Sequence, residues 1–473
     1  MTRQKLLRVN SSAGSRLRRA ARHAAVLLAA ALALAPAAGA RPNVVLIVTD
    51  DQRWDTLRHM PTVQAELVGK GVTFRNAFVV NPLCCPSRAT IFTGRYSHTT
   101  GVWGNVAAGE HGGLTAFARH EGSTLPVWLD RAGYTTVLLG KYINGYEPER
   151  GDLYKPPGWD RWLAGASPSY FAPVLTDGTN AVRYPAGAYS TDVLAAEAAR
   201  FIRQAGPEPF FLYLAPHAPH FGDGDGTFSV EAAPRHVGTH RFGPLEKPSV
   251  NEPNVDDKPD YIRSRAPIDP AKLTELRNEQ LDSLLAVDEA LGGILAALTE
   301  TDKLADTLII YTSDNGYSWG EHRWAGKQVP YEESLRVPMV ARWDRLGVAP
   351  YREERPVLNI DLPTTILAAA GASATGLEGR DMVRLARDPA VRWRSSFLFE
   401  QFNPPGAPPG YCGFRTTGWK YVQYATGFEE LYDLQADPLE RANVAARHPQ
   451  LVSSFRDRVR ASACRPPGFQ PVR

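Results

Sequence analysis

Four stretches of the chain are continuously apolar, rich in β-branched and aromatic residues, and each runs into polar ones. Residues 43–49 lead into Asp50-Asp51, 135–139 into Gly140-Lys141, 210–214 toward His217, and 307–311 into Ser313-Asp314-Asn315-Gly316. Unbroken runs of this length mark strands buried on both faces, because a half-exposed strand would alternate. Between them the apolar spacing turns helical, notably over 124–132, 191–203 and 272–298. Strands alternating with helices predict an α/β fold with a mostly parallel sheet. In open sheets of that kind ligands bind outside the carboxyl ends of the strands, where this chain puts its carboxylates, lysine and histidine.

Past Gly376 the pattern changes. Short antiparallel strands are predicted at 396–402, 413–415 and 419–424, followed by Leu431-Tyr432-Asp433-Leu434 and a last helix around 450–462. A boundary near residue 385 divides a large domain, 41–385, from a smaller C-terminal antiparallel-sheet subdomain, 386–473. Residues 221–267 are rich in Gly, Pro, His and Asp with little periodicity and read as a long surface excursion, either a lid or substrate loop or a plain insertion. Residues 1–40 differ in kind: seven basic side chains precede an alanine/leucine run from Ala24 to Ala35 that ends in Ala38-Gly39-Ala40. That is the pattern of a cleaved export signal, and its apolar run of about a dozen residues is short for a membrane span. No other stretch approaches membrane length, so the expectation is a secreted or periplasmic, extracytoplasmic protein without stable membrane insertion. Arg18-Arg19 is a twin-arginine pair, but Ala20-Ala21 follow it in place of bulky apolar residues, which leaves the export route open.

Composition adds limits. At 473 residues, 43% hydrophobic and 22% charged, the chain can bury one large core and a smaller one. The formal charge of +3 is misleading, since seven of 53 basic residues and none of 50 acidic ones precede Arg41; the remainder carries −4. A nucleic-acid surface is not indicated. Of the four cysteines, Cys84 and Cys85 are adjacent, while Cys412 and Cys464 are distant and available to pair in an oxidising compartment.

The first pair sits in Cys84-Cys85-Pro86-Ser87-Arg88-Ala89-Thr90-Ile91-Phe92-Thr93-Gly94-Arg95. A proline suited to a first helical turn places Cys84 at a helix N-terminus, where free N–H groups favour an anion. Arg88 lies one turn on, on the same face. The bland alternative is that both cysteines are disulfide partners or small buried apolar residues. Asp50, Asp51, Asp314 and Asn315 offer hard oxygen ligands on two loops, which suits Ca²⁺ or Mg²⁺ and not zinc or copper. Taken singly, an Asp pair after a strand also caps helices, and Ser-Asp-Asn-Gly also makes a tight turn.

Cys-x-Pro-Ser-Arg followed by Thr-Gly-Arg resembles the signature of the type I sulfatases, whose first cysteine, here Cys84, is oxidised to Cα-formylglycine by a formylglycine-generating enzyme. The resemblance runs from Asn43 to about Asn443, where Glu430-Leu431-Tyr432-Asp433-Leu434 with Asp437-Pro438 is similar to the family's C-terminal motif. It implies an alkaline-phosphatase-like fold and a sulfuric ester hydrolase acting on a sulfated sugar or an aryl sulfate. It further implies that Asp50, Asp51, Asp314 and Asn315, with residue 84, hold one divalent cation, Ca²⁺ or Mg²⁺. Arg88, Lys141 and Lys327 would stabilise the growing charge, Lys141 and Lys327 on the sulfate oxygens, while His217 and Lys327 would assist departure of the alcohol. His322 and His98 are candidates for the rim of the pocket. One departure stands out: many arylsulfatases carry Gly-Lys-Trp-His, whereas this chain has Gly140-Lys141-Tyr142-Ile143-Asn144, so the base that frees sulfate is unassigned. Gly-Lys-Tyr-x-Asn, the Cys-Cys pair and Pro216-His217-Ala218-Pro219-His220 are more similar to the glucosamine-6-sulfatase and heparan endosulfatase branch. Two other readings compete: a phosphate or phosphonate ester hydrolase on the same fold, and a sulfated-glycan binding protein whose Cys84 is never oxidised.

Overall fold

Asn43–Thr49 forms a strand, β1, with every residue buried. The computed structural model describes residues 41–106, 111–148, 151, 153–165, 169–221, 230–402 and 408–472, so the expected export signal lies outside the described residues. Nine further strands share the sheet of β1: Val72–Phe74 (β2), Thr135–Lys141 (β3), Arg161–Gly165 (β4), Val174–Thr176 (β5), Ala181–Arg183 (β6), Phe210–Ala215 (β7), Thr307–Ser313 (β8), Met339–Arg342 (β9) and Tyr351–Glu353 (β10). Their order across the sheet is β10-β2-β9-β8-β1-β7-β3-β4-β5-β6. The five central strands, β8, β1, β7, β3 and β4, run parallel. β9 runs antiparallel to β8 and β2, and β5 and β6 add antiparallel strands at the other edge.

The unbroken apolar runs have the cause the pattern implied, which is a helical layer on each face of the sheet. Val44, Leu46 and Val48 of β1 join a core with Ala89, Ile91 and Phe92 of Cys84–Thr93 (α1) and Leu125 and Leu129 of Leu125–Arg131 (α2). Val45 and Ile47 point the other way, toward Leu194 and Phe201 of Ser190–Gln204 (α3) and Leu284 and Leu291 of Pro270–Glu300 (α4). Because β1 and β8 pair Thr49 with Ser313, Asp50 and Asp314 leave the sheet side by side. β3 and β7 pair Gly140 with Ala215, which brings Lys141 to the same edge.

A separate four-stranded antiparallel sheet follows: Ser396–Gln401 (β11), Tyr411–Thr416 (β12), Trp419–Tyr424 (β13) and Glu429–Asp433 (β14). On one face Phe397, Phe399 and Val422 pack against Phe78, Val80, Leu335 and Leu358 of the larger part. On the other lies Pro449–Ala461 (α5), whose Phe455 stacks on Tyr421 with ring centres 5.4 Å apart. Cys412 and Cys464 form a disulfide, which ties the chain's end to β12. Pro42–Arg473 makes one compact unit.

The stretch expected to run over the surface is more than that. Its described part from 230 onward carries a single short helix, Asp260–Arg263, yet Ser249, Glu252 and Lys258 are buried. Lys258 Nζ donates to the Tyr432 hydroxyl at 2.9 Å and to Glu440 O at 2.6 Å, so this segment is fastened beneath the C-terminal sheet.

Candidate active site

Asp50 and Asp51 emerge from β1, and Asp51 takes a left-handed backbone (φ 69°), a conformation that costs a non-glycine residue energy and gathers at functional sites. The two loops interlock: Asp314 N donates to Thr49 O at 3.0 Å, Asp51 N to Asp314 Oδ1 at 3.3 Å, and Asn315 Nδ2 to Asp51 Oδ1 at 2.6 Å. Lys141 arrives from β3 through Gly140 (φ 107°), where an added Cβ would lie 2.1 Å from Ala215 O. Only glycine lets β3 close on β7 there, and Lys141 Nζ then donates to Asp50 Oδ2.

The opposite wall is α1. Leu83 is its extended N-cap, and Cys84 is its first residue, fully buried. The Cys84 thiol donates to Asp50 Oδ1 at 3.4 Å and accepts from Lys327 Nζ at 2.8 Å. Successive residues on a helix point about 100° apart, so Cys85 cannot share that direction. Its thiol is in the apolar core and donates instead to Asn144 Oδ1 at 3.2 Å. Arg88, one turn on, donates through Nε to Asp314 Oδ2 at 2.8 Å and through Nη1 to Lys141 O at 2.9 Å, with Nη2 3.8 Å from Asp50 Oδ2. Gly94 (φ 68°) ends the helix.

Lys327 directly follows the short strand Ala325–Gly326 and donates to Asp51 Oδ1 at 2.6 Å as well as to Cys84. Its side chain is 11% exposed, against none for Arg88, Lys141, Asp50 and Asp51, so it forms the boundary between the buried cluster and solvent. His217 is buried edge-on to Tyr170, 4.0 Å from Asp50 Oδ2. The structure adds a residue that the motif contained but residue chemistry alone did not single out. His220 Nε2 lies 3.6 Å from Asp51 Oδ2, while its Nδ1 lies 2.6 Å from Phe221 O. A second histidine three residues after His217 was the available signal.

His98 and His322 are engaged elsewhere. His98 Nδ1 sits 2.8 Å from Glu400 Oε2 on β11 and stacks on Tyr96. His322 Nδ1 sits 2.8 Å from Glu252 Oε2, with its ring 4.1 Å from that of Tyr331. The first reaches the C-terminal sheet, the second the 221–267 segment.

Electrostatics follow from burial and crowding. Burial alone would raise the Asp50 carboxyl, but Lys141, His220, Arg88 and Lys327 hold it well below the usual carboxylate range. Asp314 is pushed up, by burial first and then by Asp50. Burial opposes charge on Lys327, yet Asp51, Cys84, Asp50 and Asp314 raise it well above the ordinary lysine value. Burial, reinforced by His220, keeps the His217 imidazole neutral. The Cys84 thiol is driven far up by burial and then by Asp50, so it keeps its proton.

The cluster offers a set of atoms that could hold a metal ion. Asp50, Asp51, Cys84 and His220 each present a ligand atom, all within 4.8 Å of one another. Asp51 Oδ2 and Asn315 Oδ1 are buried with no hydrogen-bond partner, as are Arg88 Nη2 and both nitrogens of His217. Buried polar atoms seldom go unpaired, and here the leftover acceptors include oxygens beside a carboxylate pair, with a guanidinium nitrogen also unbonded.

Residues 42–372 match the family described as Sulfatase, and residues 320–462 match the family described as N-sulphoglucosamine sulphohydrolase, C-terminal. An arylsulfatase of Volvox carteri is 32% identical, over 88% of this chain and 74% of its own length. The N-acetylglucosamine-6-sulfatase of Homo sapiens is 31% identical, over 91% of this chain and 87% of its own. Among solved structures, a protein in complex with its substrate D-glucosamine-2-N,6-O-disulfate superposes with a TM-score of 0.73 at 23% identity, over 89% of this chain and 97% of that one. At that identity the likeness speaks for the fold, a mostly parallel sheet with flanking helices and a separate antiparallel sheet.

Proposed function

This chain belongs to the sulfatase family and is a sulfatase, a sulfuric ester hydrolase; we propose that its nucleophile is made from Cys84 and that its substrate is a sulfated sugar. The observation that carries this reading is the set of unpaired buried atoms, Asp51 Oδ2, Asn315 Oδ1, Arg88 Nη2 and the His217 nitrogens, gathered about one fully buried cysteine. A thiol held protonated is a poor nucleophile. Cα-formylglycine, formed from Cys84 by a formylglycine-generating enzyme, would supply a hydroxyl for attack on sulfur. Ca²⁺, or Mg²⁺, held by Asp50, Asp51, Asp314, Asn315 and residue 84, would supply positive charge at a sulfate oxygen.

The chain's own residues do the rest. Arg88 fixes Asp314 with one nitrogen and Lys141 O with another, which leaves Nη2 for an oxygen of the ester. Lys141 and Lys327 bring two ammonium groups to the sulfate, where preset charge costs no reorganisation. Lys327, charged and placed where the cluster meets solvent, holds the proton that the departing oxygen needs. His217, neutral and unpaired, donates or accepts a hydrogen bond on the same side. His220 stands next to Asp51 and completes the cluster on the face where no histidine follows Lys141.

We place the protein outside the cytoplasm, on the basic and apolar segment before Arg41 and on the Cys412–Cys464 disulfide. Among the described residues no helix is long and apolar enough to cross a membrane. The part from about residue 386 is taken as a C-terminal subdomain, supported by its own antiparallel sheet. The test is sulfate release from N-acetylglucosamine 6-sulfate by protein made together with a formylglycine-generating enzyme, with the matching phosphate ester as the competing substrate and the intact mass of the Cys84 peptide as the second readout. Turnover should track the aldehyde fraction and favour sulfate. Equal turnover by protein carrying only the Cys84 thiol would overturn the assignment.

A further inference from the structure

Beyond Lys327 the buried cluster opens into a cleft of about 640 Å³, in the size range of small-ligand pockets. Its walls come from three places: Phe221, next to His220; the first turns of α4; and the Trp324–Gln328 segment, with Tyr317 beneath. Trp324 is fixed there, its indole N–H donating to Lys327 O at 3.0 Å and the Arg265 guanidinium lying 4.1 Å over its ring. Arg265 is itself held, donating to Tyr261 O at 3.2 Å. Among the described residues, the charged side chains lining the cleft apart from Lys327 are Lys272, Glu275 and Glu279, all on α4. Glu275 and Glu279 are four residues apart and therefore on one face; Glu275 is exposed, while Glu279 is half-buried and takes a hydrogen bond from the Val230 backbone. Past the sulfate-binding cations, then, the cleft shows small parts of Phe221, Tyr317 and Trp324, with two carboxylates against one lysine.

Resting on the sulfatase reading of the Cys84 cluster, we propose that this cleft takes the leaving group as a single sugar ring and selects against a second sulfate on it. The aromatic walls suit the apolar face of a pyranose, and Glu275 and Glu279 accept hydrogen bonds from its hydroxyls or from an amino group. A sulfate carried on the same ring would instead face two carboxylates, and like charges brought opposite one another disfavour a partner. The cations needed for the reacting sulfate are all on the inner side of Lys327, so they do not relieve this repulsion.

The test compares three 6-sulfated substrates: glucosamine 6-sulfate, N-acetylglucosamine 6-sulfate and glucosamine 2-N,6-O-disulfate, with a nitrophenyl sulfate as control. The wild-type protein, with formylglycine verified by mass, is expected to show kcat/KM for the two monosulfates at least about tenfold above the disulfate. The double variant Glu275→Gln/Glu279→Gln should shrink that ratio by about tenfold, and the gap should also narrow as salt is raised, because the effect is Coulombic. Preference for the disulfate, or a ratio unmoved by the double variant, would overturn the inference while leaving the sulfatase reading intact. Turnover of the aryl sulfate with no sugar substrate accepted would also overturn it. If no sulfate ester at all is hydrolysed, the failure lies in the function assigned to Cys84, and the inference falls with it.

Discussion

Two of the buried charge clusters among the described residues differ in how they are paired. Around Asp50 and Asp51, carboxylates, ammonium groups and a guanidinium crowd together, yet Asp51 Oδ2, Asn315 Oδ1 and Arg88 Nη2 make no hydrogen bond, and the charges nearest to the first and last stand off at 3.6 and 3.8 Å. At the seam of the C-terminal sheet each charge meets its counter-charge. Glu332 receives Arg415 Nε at 2.9 Å and lies 2.9 Å from Lys420 Nζ. Lys420 in turn donates to Pro330 O at 3.0 Å and lies 2.6 Å from Glu440 Oε1, whose Oε2 accepts from Glu332 N at 2.7 Å. Nearby, the Glu430 carboxylate collects the hydroxyls of Tyr331, Tyr424 and Tyr432 at 2.7–3.0 Å. Both clusters shift proton affinities strongly, so perturbed titration alone does not locate chemistry. The closed cluster has its own task, since Pro330, Tyr331 and Glu332 directly follow the loop that delivers Lys327 to Cys84. Removing one partner of such a pair leaves a buried charge uncompensated, which is why a closed cluster resists rearrangement.

The most severe way to break the open cluster is at its centre. Cys84→Ala should lower turnover by at least about 10⁴-fold, the scale of losing a nucleophile, with the melting temperature little changed. Cys85→Ala should keep most activity and lose stability instead, by about 1 kcal/mol or more for a buried core side chain, measured by denaturant titration. Reversal of the two phenotypes would assign the wrong sulfur. Next in size is the cation. Chelation should abolish activity and added Ca²⁺ should restore it, and Asp314→Ala, which also deprives Arg88 Nε of its acceptor, should reduce kcat/KM by about 10²–10³. Bound metal measured by elemental analysis should fall in the same variant. Activity and metal content both unchanged after thorough chelation would show that the leftover oxygens serve another purpose.

What could be read from the sequence divides along the same line. β1, β3, β7 and β8 are legible because burial on both faces leaves an unbroken apolar run, and their polar ends converge because parallel strands end on one side. Cys84 at the first turn of α1 is legible from Pro86 and from the spacing to Arg88. The outer strands β2, β5, β6 and β10 have only three residues each, and their identity comes from pairing that no local pattern encodes. His98 and His322 each stand beside a motif, and their Nδ1 partners, Glu400 and Glu252, lie 302 and 70 positions away, where no local pattern points to them. The closed cluster is invisible for the same reason, since Glu332 meets Arg415 and Glu440 across 83 and 108 residues.

A finer break of the open cluster concerns the leaving oxygen. A nitrophenolate departs unaided, whereas a sugar alkoxide needs a proton, and general acid assistance is typically worth about 10²–10⁴ in rate, or roughly 3–5 kcal/mol. His217→Ala and Lys327→Ala should therefore lose much more kcat on a sugar sulfate than on an activated aryl sulfate. Lys327→Ala should in addition weaken binding of both, because its ammonium also faces the sulfate. Equal losses on the two substrates in both variants would remove each from the role of acid.

The smallest effect expected sharpens the contrast from the closed side. Glu440 is pushed up to about 7 from its ordinary 4.5, by burial first and with Glu332 and Glu333 adding to it, against the pull of Lys420. Between those two pH values the unfolded chain has released the proton while the folded one keeps it, so folding stability falls as pH rises through that window and levels off above it. Glu332 works in the opposite sense. Despite its burial, Arg415 and Lys420 hold its carboxyl far below the usual range, so its contribution is complete above pH 4.5 and is lost on acidification. Glu440→Gln should accordingly remove a loss on the order of 1–3 kcal/mol between pH 4.5 and 7 while sparing the acid limb that Glu332 sets. Denaturant titrations of wild type and variant across pH 4–8 give the difference directly, and the other titrating groups cancel in it. The kcat/KM profile on an aryl sulfate should keep its shape, because a closed cluster exchanges its proton with no atom that reacts. A stability difference flat across the window would mean that Lys420 neutralises Glu440 fully, and an altered pH–rate profile would mean that the two clusters are coupled through the Lys327 loop.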